Sequence, residues 1–258
     1  MNRREPNGAS RDEFDALVSA ASEVRLSGWD FSFLADRVWS EALPWNYVDL
    51  ARSAAQGAAC VLDIDTGGGE VLATIRPPPG SIAVESYPPN VPIAAASLTP
   101  LGIEVRYRPT SQLPVSDAAF DLVLNRHGAL DATEVARVLA PGGVFLTQQV
   151  GSRNDIEFDE TFGLTSTGFR DAWENLAEAR RTLENVGLRI TKAEEAWPRT
   201  HYLDIGAVIL QLRAVPWQVA SFDVAEHRKH LWAIHQSIIE EGSFTVTSHR
   251  LLLEAARV

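Results

Sequence analysis

The residues best equipped for chemistry cluster in the run Val61-Leu62-Asp63-Ile64-Asp65-Thr66-Gly67-Gly68-Gly69-Glu70. An apolar stretch runs into three glycines, where bare backbone lets the chain turn tightly and lets a ligand approach the main chain. Glu85 follows roughly 20 residues after Asp63, at the end of the next apolar run, Ser81-Ile82-Ala83-Val84-Glu85. An acid at such a strand tip can accept hydrogen bonds from ribose hydroxyls in a doubly wound sheet. A glycine-rich loop alone signals little, because turns need glycine; the acid makes the combination more specific. His127, in Asn125-Arg126-His127-Gly128, follows a further apolar run, and an imidazole can take a proton near neutrality. The same ring can equally serve the hydrogen bonding of a turn.

The elements that would position these residues can be read from the spacing of apolar side chains. From Ala58 to Val150, short apolar runs alternate with helix-like segments: residues 60–64, 81–85, 103–107, 120–125 and 144–147. Runs of this length joined through helices predict a parallel sheet covered on both faces. Asp131 to Leu139 reads as a helix, with Pro141-Gly142-Gly143 as the turn after it. Before this core, Phe14 to Ala55 has helical spacing (Phe33, Leu34, Val38, Trp39), broken by Gly28 and Pro44. After it come a helix over Gly168 to Val186, a strand over Leu188 to Ala193, and a helix over Ile205 to Ala214 capped by Asp204. A helix over Asp223 to Glu241 and a strand-like end, Phe244 to Ala255, complete the pattern. His227, His230 and His235 read as residues of a charged, solvated helix face. The predicted organisation is a flexible tail over 1–12 and a single domain over 13–258. That domain comprises N-terminal helices (13–56), a ligand-binding core (57–150) and a C-terminal half (151–258) with a helical cap at about 199–241.

Composition narrows the function classes. The chain has 258 residues, 45% of them hydrophobic, enough for a full-sized core. Lys and Arg number 23 against 34 Asp and Glu, a net charge of -11, which disfavours a nucleic-acid substrate. One cysteine, Cys60, excludes an internal disulfide, and no Cys/His spacing predicts a metal site. No apolar run is long enough to span a bilayer, and the N-terminus lacks a signal-peptide core, so a soluble, cytoplasmic chain is expected. All seven tryptophans (Trp29, Trp39, Trp45, Trp173, Trp197, Trp217, Trp232) lie outside residues 58–150. Most would anchor helices, and two or three could line a pocket above the sheet.

Taken in order, four pieces of this sequence resemble the class I S-adenosylmethionine (SAM)-dependent methyltransferases. They are the glycine loop after Leu62-Asp63-Ile64; Glu85 with Ser86-Tyr87 behind it; Leu113-Pro114-Val115-Ser116-Asp117-Ala118-Ala119-Phe120-Asp121-Leu122-Val123; and Ala136-Arg137-Val138-Leu139-Ala140-Pro141-Gly142-Gly143. The resemblance covers Ala58 to Val150 well and the C-terminal part more loosely. NAD enzymes match less well, since their loop would need glycine at position 65 and a helix-packing glycine.

The resemblance implies a three-layer α/β sandwich, a Rossmann-like fold whose seven-stranded, mostly parallel sheet ends in an antiparallel strand, with helical segments as a cap. It implies SAM as cofactor and methyl transfer to a small-molecule acceptor at oxygen or nitrogen. RNA or protein methylation is an alternative that would require a basic face, and a catalytically silent binding protein is another. Thr66 to Gly69 would then face the methionine part of SAM, Glu85 would bind the ribose hydroxyls, Gln112 and Leu113 would sit beside the adenine, and Asn125 and Arg126 would follow the strand whose tip borders the sulfonium; Asp63, Asp65 and Ser86 would also contribute to cofactor binding. His127 is the candidate base. Trp45, Tyr47, Gln149, Asn154 and His201 are candidates for the acceptor side. The family usually has glycine where this chain has Asp65. The loop's first turn is therefore altered, or a carboxylate faces the ammonium or sulfonium. The family often has an acid shortly before Leu113; here Arg108-Pro109-Thr110-Ser111-Gln112 leaves the adenine contact to Gln112, a hydroxyl or the backbone. The oligomeric state is not legible.

Overall fold

The computed structural model describes residues 9–26, 31–164, 173, 175–219 and 221–258. In chain order its first elements are α1 (Ala9–Glu23), β1 (Val38–Ser40), α2 (Tyr47–Ala55), β2 (Val61–Ile64), α3 (Glu70–Ile75), β3 (Ile82–Glu85), α4 (Asn90–Leu98) and β4 (Glu104–Tyr107). Next come β5 (Phe120–Arg126), α5 (Ala132–Val138), β6 (Leu139–Val150), α6 (Ile156–Phe162), α7 (Leu176–Asn185) and β7 (Leu188–Ala196). Last are β8 (Arg199–Tyr202), α8 (Ile205–Ala214), α9 (Arg228–Glu241), β9 (Phe244–Thr247) and β10 (Arg250–Arg257). The chain divides into two compact units, where the sequence reading expects a single domain. One comprises Leu43–Arg153, Phe169–Ala196 and His249–Val258; the other comprises Met1–Ala42, Asn154–Gly168 and Trp197–Ser248.

The first of these units is built on a seven-stranded sheet of order β4-β3-β2-β5-β6-β10-β7. Its neighbouring strands pair in parallel from β4 to β6, and β10 runs antiparallel to both β6 and β7. Successive side chains of a strand point to opposite faces. Leu62, Ile64, Val84, Val123 and Phe145 therefore pack with Val135 and Val138 of α5 and Leu183 of α7 on one face. Val61, Ala83, Leu122, Leu124 and Leu146 pack with Ala51 of α2, Leu72 of α3 and Leu98 of α4 on the other. Both faces of the parallel strands are covered, which is why these strands read as unbroken apolar runs.

The other unit holds a three-stranded antiparallel sheet of order β1-β8-β9, which the sequence reading lacks. Its core joins Phe14 and Val18 of α1, Phe158 of α6, Leu231 and Ile234 of α9, and a run of α8 buried on every side from Ile205 to Leu210. Asp204 caps α8 as expected, accepting from the Ala207 N–H at 2.9 Å.

Several boundaries differ from expectation. Helix α1 begins at Ala9, inside the stretch read as a tail, and residues 1–8 lie outside the described residues. Val38-Trp39-Ser40 is strand, because its backbone pairs with Tyr202, His201 and Thr200. Pro141-Gly142-Gly143 lies within β6, where Gly142 takes a positive φ of 79 and the register with β5 shifts. The predicted cap at 199–241 starts as a strand, and residues 223–227 form a turn in which Asp223 accepts from the Ala225 and Glu226 N–H groups. The expected final strand is two strands belonging to two sheets, broken at Ser248-His249. Trp29, Gly28 and the start of the predicted helix at Gly168 fall outside the described residues. His227 and His230 are not on a solvated face; their rings lie 5.3 and 5.5 Å from that of Phe162.

Candidate active site

The carboxyl ends of β2, β3, β4, β5 and β6 lie side by side because these strands are parallel, and ligands of open α/β sheets bind outside such ends. Glu85 ends β3. Its Oε2 accepts from the Gly67 N–H at 2.6 Å and its Oε1 from the Tyr87 N–H at 2.7 Å. The residue is 3% exposed; burial raises its pKa, and the two N–H groups oppose that rise. Ser86, beside it, is exposed. The loop after β2 is pinned by the Thr66 N–H donating to Val84 O at 3.1 Å. Gly67 has φ 64, and a Cβ there would meet no heavy atom within 4 Å, so its main chain faces open space. Gly69, with φ 85, is packed differently: a Cβ would stand 2.8 Å from Leu98 Cγ of α4.

Asp65 takes the left-handed conformation, φ 55, which glycine adopts without strain. The first turn keeps a glycine-like shape, and a carboxylate enters the strand tips with it. That carboxylate is held by Arg108 at the end of β4: one guanidinium nitrogen lies 2.8 Å from both Oδ1 and Oδ2. The pair is enclosed, with side chains 11% and 5% exposed. On its other side Asp65 abuts Gly128 after β5, where an added Cβ would stand 2.6 Å from Asp65 Cβ. Arg108 was missed in the sequence. Its only signal is a cation at a strand exit two strands from Asp65, and a pairing so distant in sequence leaves no local pattern.

Gln112 is exposed and Leu113 buried on the loop after β4, which borders an open depression of about 530 Å³. Glu134 of α5 fixes this loop by accepting from the Leu113 N–H at 2.7 Å, and Arg137 donates to Leu113 O at 3.0 Å.

Asn125, at the tip of β5, is fully buried. Its Nδ2 donates to Ile64 O at 2.9 Å, and its Oδ1 receives Thr147 and the side-chain amide of Gln149. Gln149 is thus committed to a structural network with Thr147 and Gly128 O. The opposite face of the sheet carries Trp45, Gln148 and His127 in a chain. Trp45 Nε1–H donates to Gln148 Oε1 at 2.8 Å, and Gln148 Nε2 lies 2.9 Å from His127 Nε2. An indole is a donor only, so it orients the Gln148 amide with its NH2 toward the imidazole. His127 Nε2 must then accept, and the neutral ring carries its proton on Nδ1. His127 itself has φ 59, and its N–H donates to Gln148 O at 2.9 Å. The residue is exposed overall, yet its imidazole has much protein around it. That surrounding mass, with the charges of Arg126 and Arg250, holds its pKa well below the ordinary histidine value. Gln148, the residue that orients it, was not singled out in the sequence; alternation along β6 is the signal that separates its role from that of Gln149.

Asp63 and Tyr47 are buried together on this face, and the Tyr47 hydroxyl donates to Asn125 O at 3.3 Å. Burial, followed by the Asp63 charge, pushes the Tyr47 pKa well above its usual value. Burial likewise raises the Asp63 pKa from 3.8 to about 7, with the Asp65 and Glu85 charges adding to it. The folded chain thus holds a proton that the unfolded chain has released. The stabilising contribution is present below pH 4 and is lost as pH rises toward 7. Asp63→Asn should therefore melt increasingly above wild type between pH 4 and pH 7; a melting difference independent of pH in that window would refute the assignment.

Asn154 and His201, the remaining acceptor-side candidates, belong to the other unit. There His201 stacks on Trp39 at 3.9 Å and its Nδ1 contacts the hydroxyls of Thr245 and Ser243. Among the described residues no group of three or more His, Cys, Asp or Glu is placed to hold a metal ion. No described helix is long and apolar enough to cross a membrane.

No protein-family model matches the chain, and no curated protein matches it by sequence. Solved structures do match. A candidate methyltransferase from Bacillus halodurans superposes with a TM-score of 0.58 at 17% identity, over 82% of this chain and 98% of that one. The [4+2]-cyclase SpnF gives 0.52 at 15% identity, over 97% and 94%. A geranyl diphosphate methyltransferase in complex with SAM gives 0.50 at 13% identity, over 82% and 85%. The chain has the Rossmann-like fold of the class I methyltransferases.

Proposed function

We propose that the chain binds SAM and transfers its methyl group to an oxygen or nitrogen of a small-molecule acceptor in the cytoplasm. The observation that carries this reading is the bond from the Gly67 N–H to Glu85, which sets an acid beside bare main chain at the carboxyl tips of adjacent parallel strands. Each Glu85 oxygen accepts one N–H and keeps a lone pair for a ribose hydroxyl. Thr66 to Gly69 would carry the methionine part, with the Gly67 backbone open to it. Gln112 and Leu113 would flank the adenine, and Asn125 and Arg126 would border the sulfur. Bound SAM supplies a methyl group on an already activated carbon.

The chain's own contribution is then chiefly positioning. His127, with Nε2 engaged by Gln148, offers a donor at Nδ1 rather than a free base, so it would orient an acceptor rather than deprotonate it. Trp45 and Tyr47 act from below, Trp45 by fixing Gln148 and Tyr47 by bracing the end of β5. The net charge of -11 favours a small acceptor over RNA.

A second reading is a methyltransferase-fold protein that binds a nucleoside without transferring methyl, or that runs other chemistry on the same scaffold. The Asp65–Arg108 pair and the occupied His127 Nε2 favour it, and the structural neighbour SpnF is a [4+2]-cyclase. Two measurements separate these readings. S-adenosylhomocysteine should raise the melting temperature by linkage, and labelled SAM should pass its methyl to a member of a panel of phenols, carboxylates and amines. A shift without transfer to any acceptor supports the second reading, whereas no shift at millimolar ligand rejects a SAM site.

A further inference from the structure

The Asp65–Arg108 ion pair is strung across the tips of three neighbouring parallel strands. Asp65 leaves β2, Arg108 leaves β4, and β3 with Glu85 lies between them. The Arg108 N–H donates to Glu85 O at 2.9 Å, so the arginine stands directly beside the acid proposed to receive the ribose. Glu85 is 3% exposed, and the two paired side chains are 11% and 5% exposed. A sugar therefore reaches Glu85 only after neighbouring side chains move. Asp65 cannot retreat toward β5, because Gly128 already packs against its Cβ. The pair leaves the strands on either side of β3, so separating it would make room beside Glu85.

Separating two enclosed charges leaves the Asp65 carboxylate without its cation and Arg108 with only the carbonyls of Thr110 and Ser111, a heavy penalty unless the ligand replaces both charged partners. A neutral nucleoside offers neither replacement. A nucleoside bearing an α-amino-acid tail offers both, an ammonium for Asp65 and a carboxylate for Arg108. Asp65 also lies at the start of the loop whose Gly67 backbone is open, which is where such a tail would rest.

We propose that the Asp65–Arg108 pair is a selectivity gate, opened by nucleosides that carry a zwitterionic amino-acid tail and closed to those that do not. It rests on the nucleoside-binding reading above and goes further by assigning ligand discrimination to two residues of this chain. Arg108 and Asp65 thus trade their mutual contact for contacts to the ligand's two charges, and both return to each other when the ligand leaves.

The test is calorimetric titration of the full chain with two probes: S-adenosylhomocysteine, and 5′-methylthioadenosine, which keeps the nucleoside and sulfur but lacks the tail. Wild type is compared with the neutral Asp65→Asn/Arg108→Gln double variant, whose fold is checked by its melting curve. Wild type should favour S-adenosylhomocysteine strongly. In the double variant the preference should fall by about tenfold or more, with 5′-methylthioadenosine binding tighter than to wild type. Binding of S-adenosylhomocysteine with the same preference in both proteins would overturn the gate while leaving the nucleoside site standing. Absence of binding by either probe to either protein would overturn both. Should the double variant melt too low to titrate, Asp65→Gly/Arg108→Gln, which leaves no unpaired charge and suits the left-handed φ at position 65, carries the same comparison.

Discussion

Replacing Arg108 by alanine should lower the stability of the chain by about 3–5 kcal/mol, because it strands the enclosed Asp65 carboxylate. The guanidinium contacts both carboxylate oxygens at 2.8 Å, and Asp65 is backed by Gly128, so water cannot substitute without local rearrangement. The neutral Asp65→Asn/Arg108→Gln pair should lose much less, since amides can bond to each other and leave no unpaired charge. The ordering of the two variants is the informative part. It is read from urea unfolding followed by circular dichroism. A single variant no less stable than the double one would mean that the pair is solvated.

The second large effect is expected at Glu85. Glu85→Gln should weaken S-adenosylhomocysteine binding by about 100-fold, the loss of two hydrogen bonds to a charged acceptor at roughly 1.5 kcal/mol each. An amide cannot accept from the Gly67 and Tyr87 N–H groups simultaneously through both of its polar atoms, so the loop also loses one of its two anchors. Stability should fall as well, and affinity must be measured well below the variant's melting point. Unchanged affinity in a folded Glu85→Gln protein would remove the acid from the site.

Much of this arrangement was legible in residue order because the central strands are buried on both faces. Val61–Ile64, Ile82–Glu85 and Phe120–Arg126 read as apolar runs for that reason, and the glycine loop and Glu85 follow from where those runs end. What escaped was set by contacts distant along the chain. Val38–Ser40 has helical spacing and becomes a strand only because Arg199–Tyr202 pairs with it. Asp223 looks like the start of a helix, yet it caps its own turn and the helix waits until Arg228. The sequence reading left Asp65 either altering the loop's first turn or facing a cofactor charge; the pairing with an arginine some forty residues away is invisible to any local pattern. His127 was placed correctly at a strand exit, but its tautomer depends on Gln148, whose orientation is dictated by Trp45 far upstream.

The two terminal strands, β9 and β10, are separated by only Ser248 and His249 but serve different sheets. Among the described residues β10 is the sole hydrogen-bonded neighbour of β7, and β9 forms one edge of the three-stranded sheet. During synthesis, neither sheet can be finished until residues 244–257 have left the ribosome. A nascent chain stalled short of them holds β7 with no strand to join and leaves β8 open along one side. Maturation of both units therefore waits on the same late stretch of polypeptide.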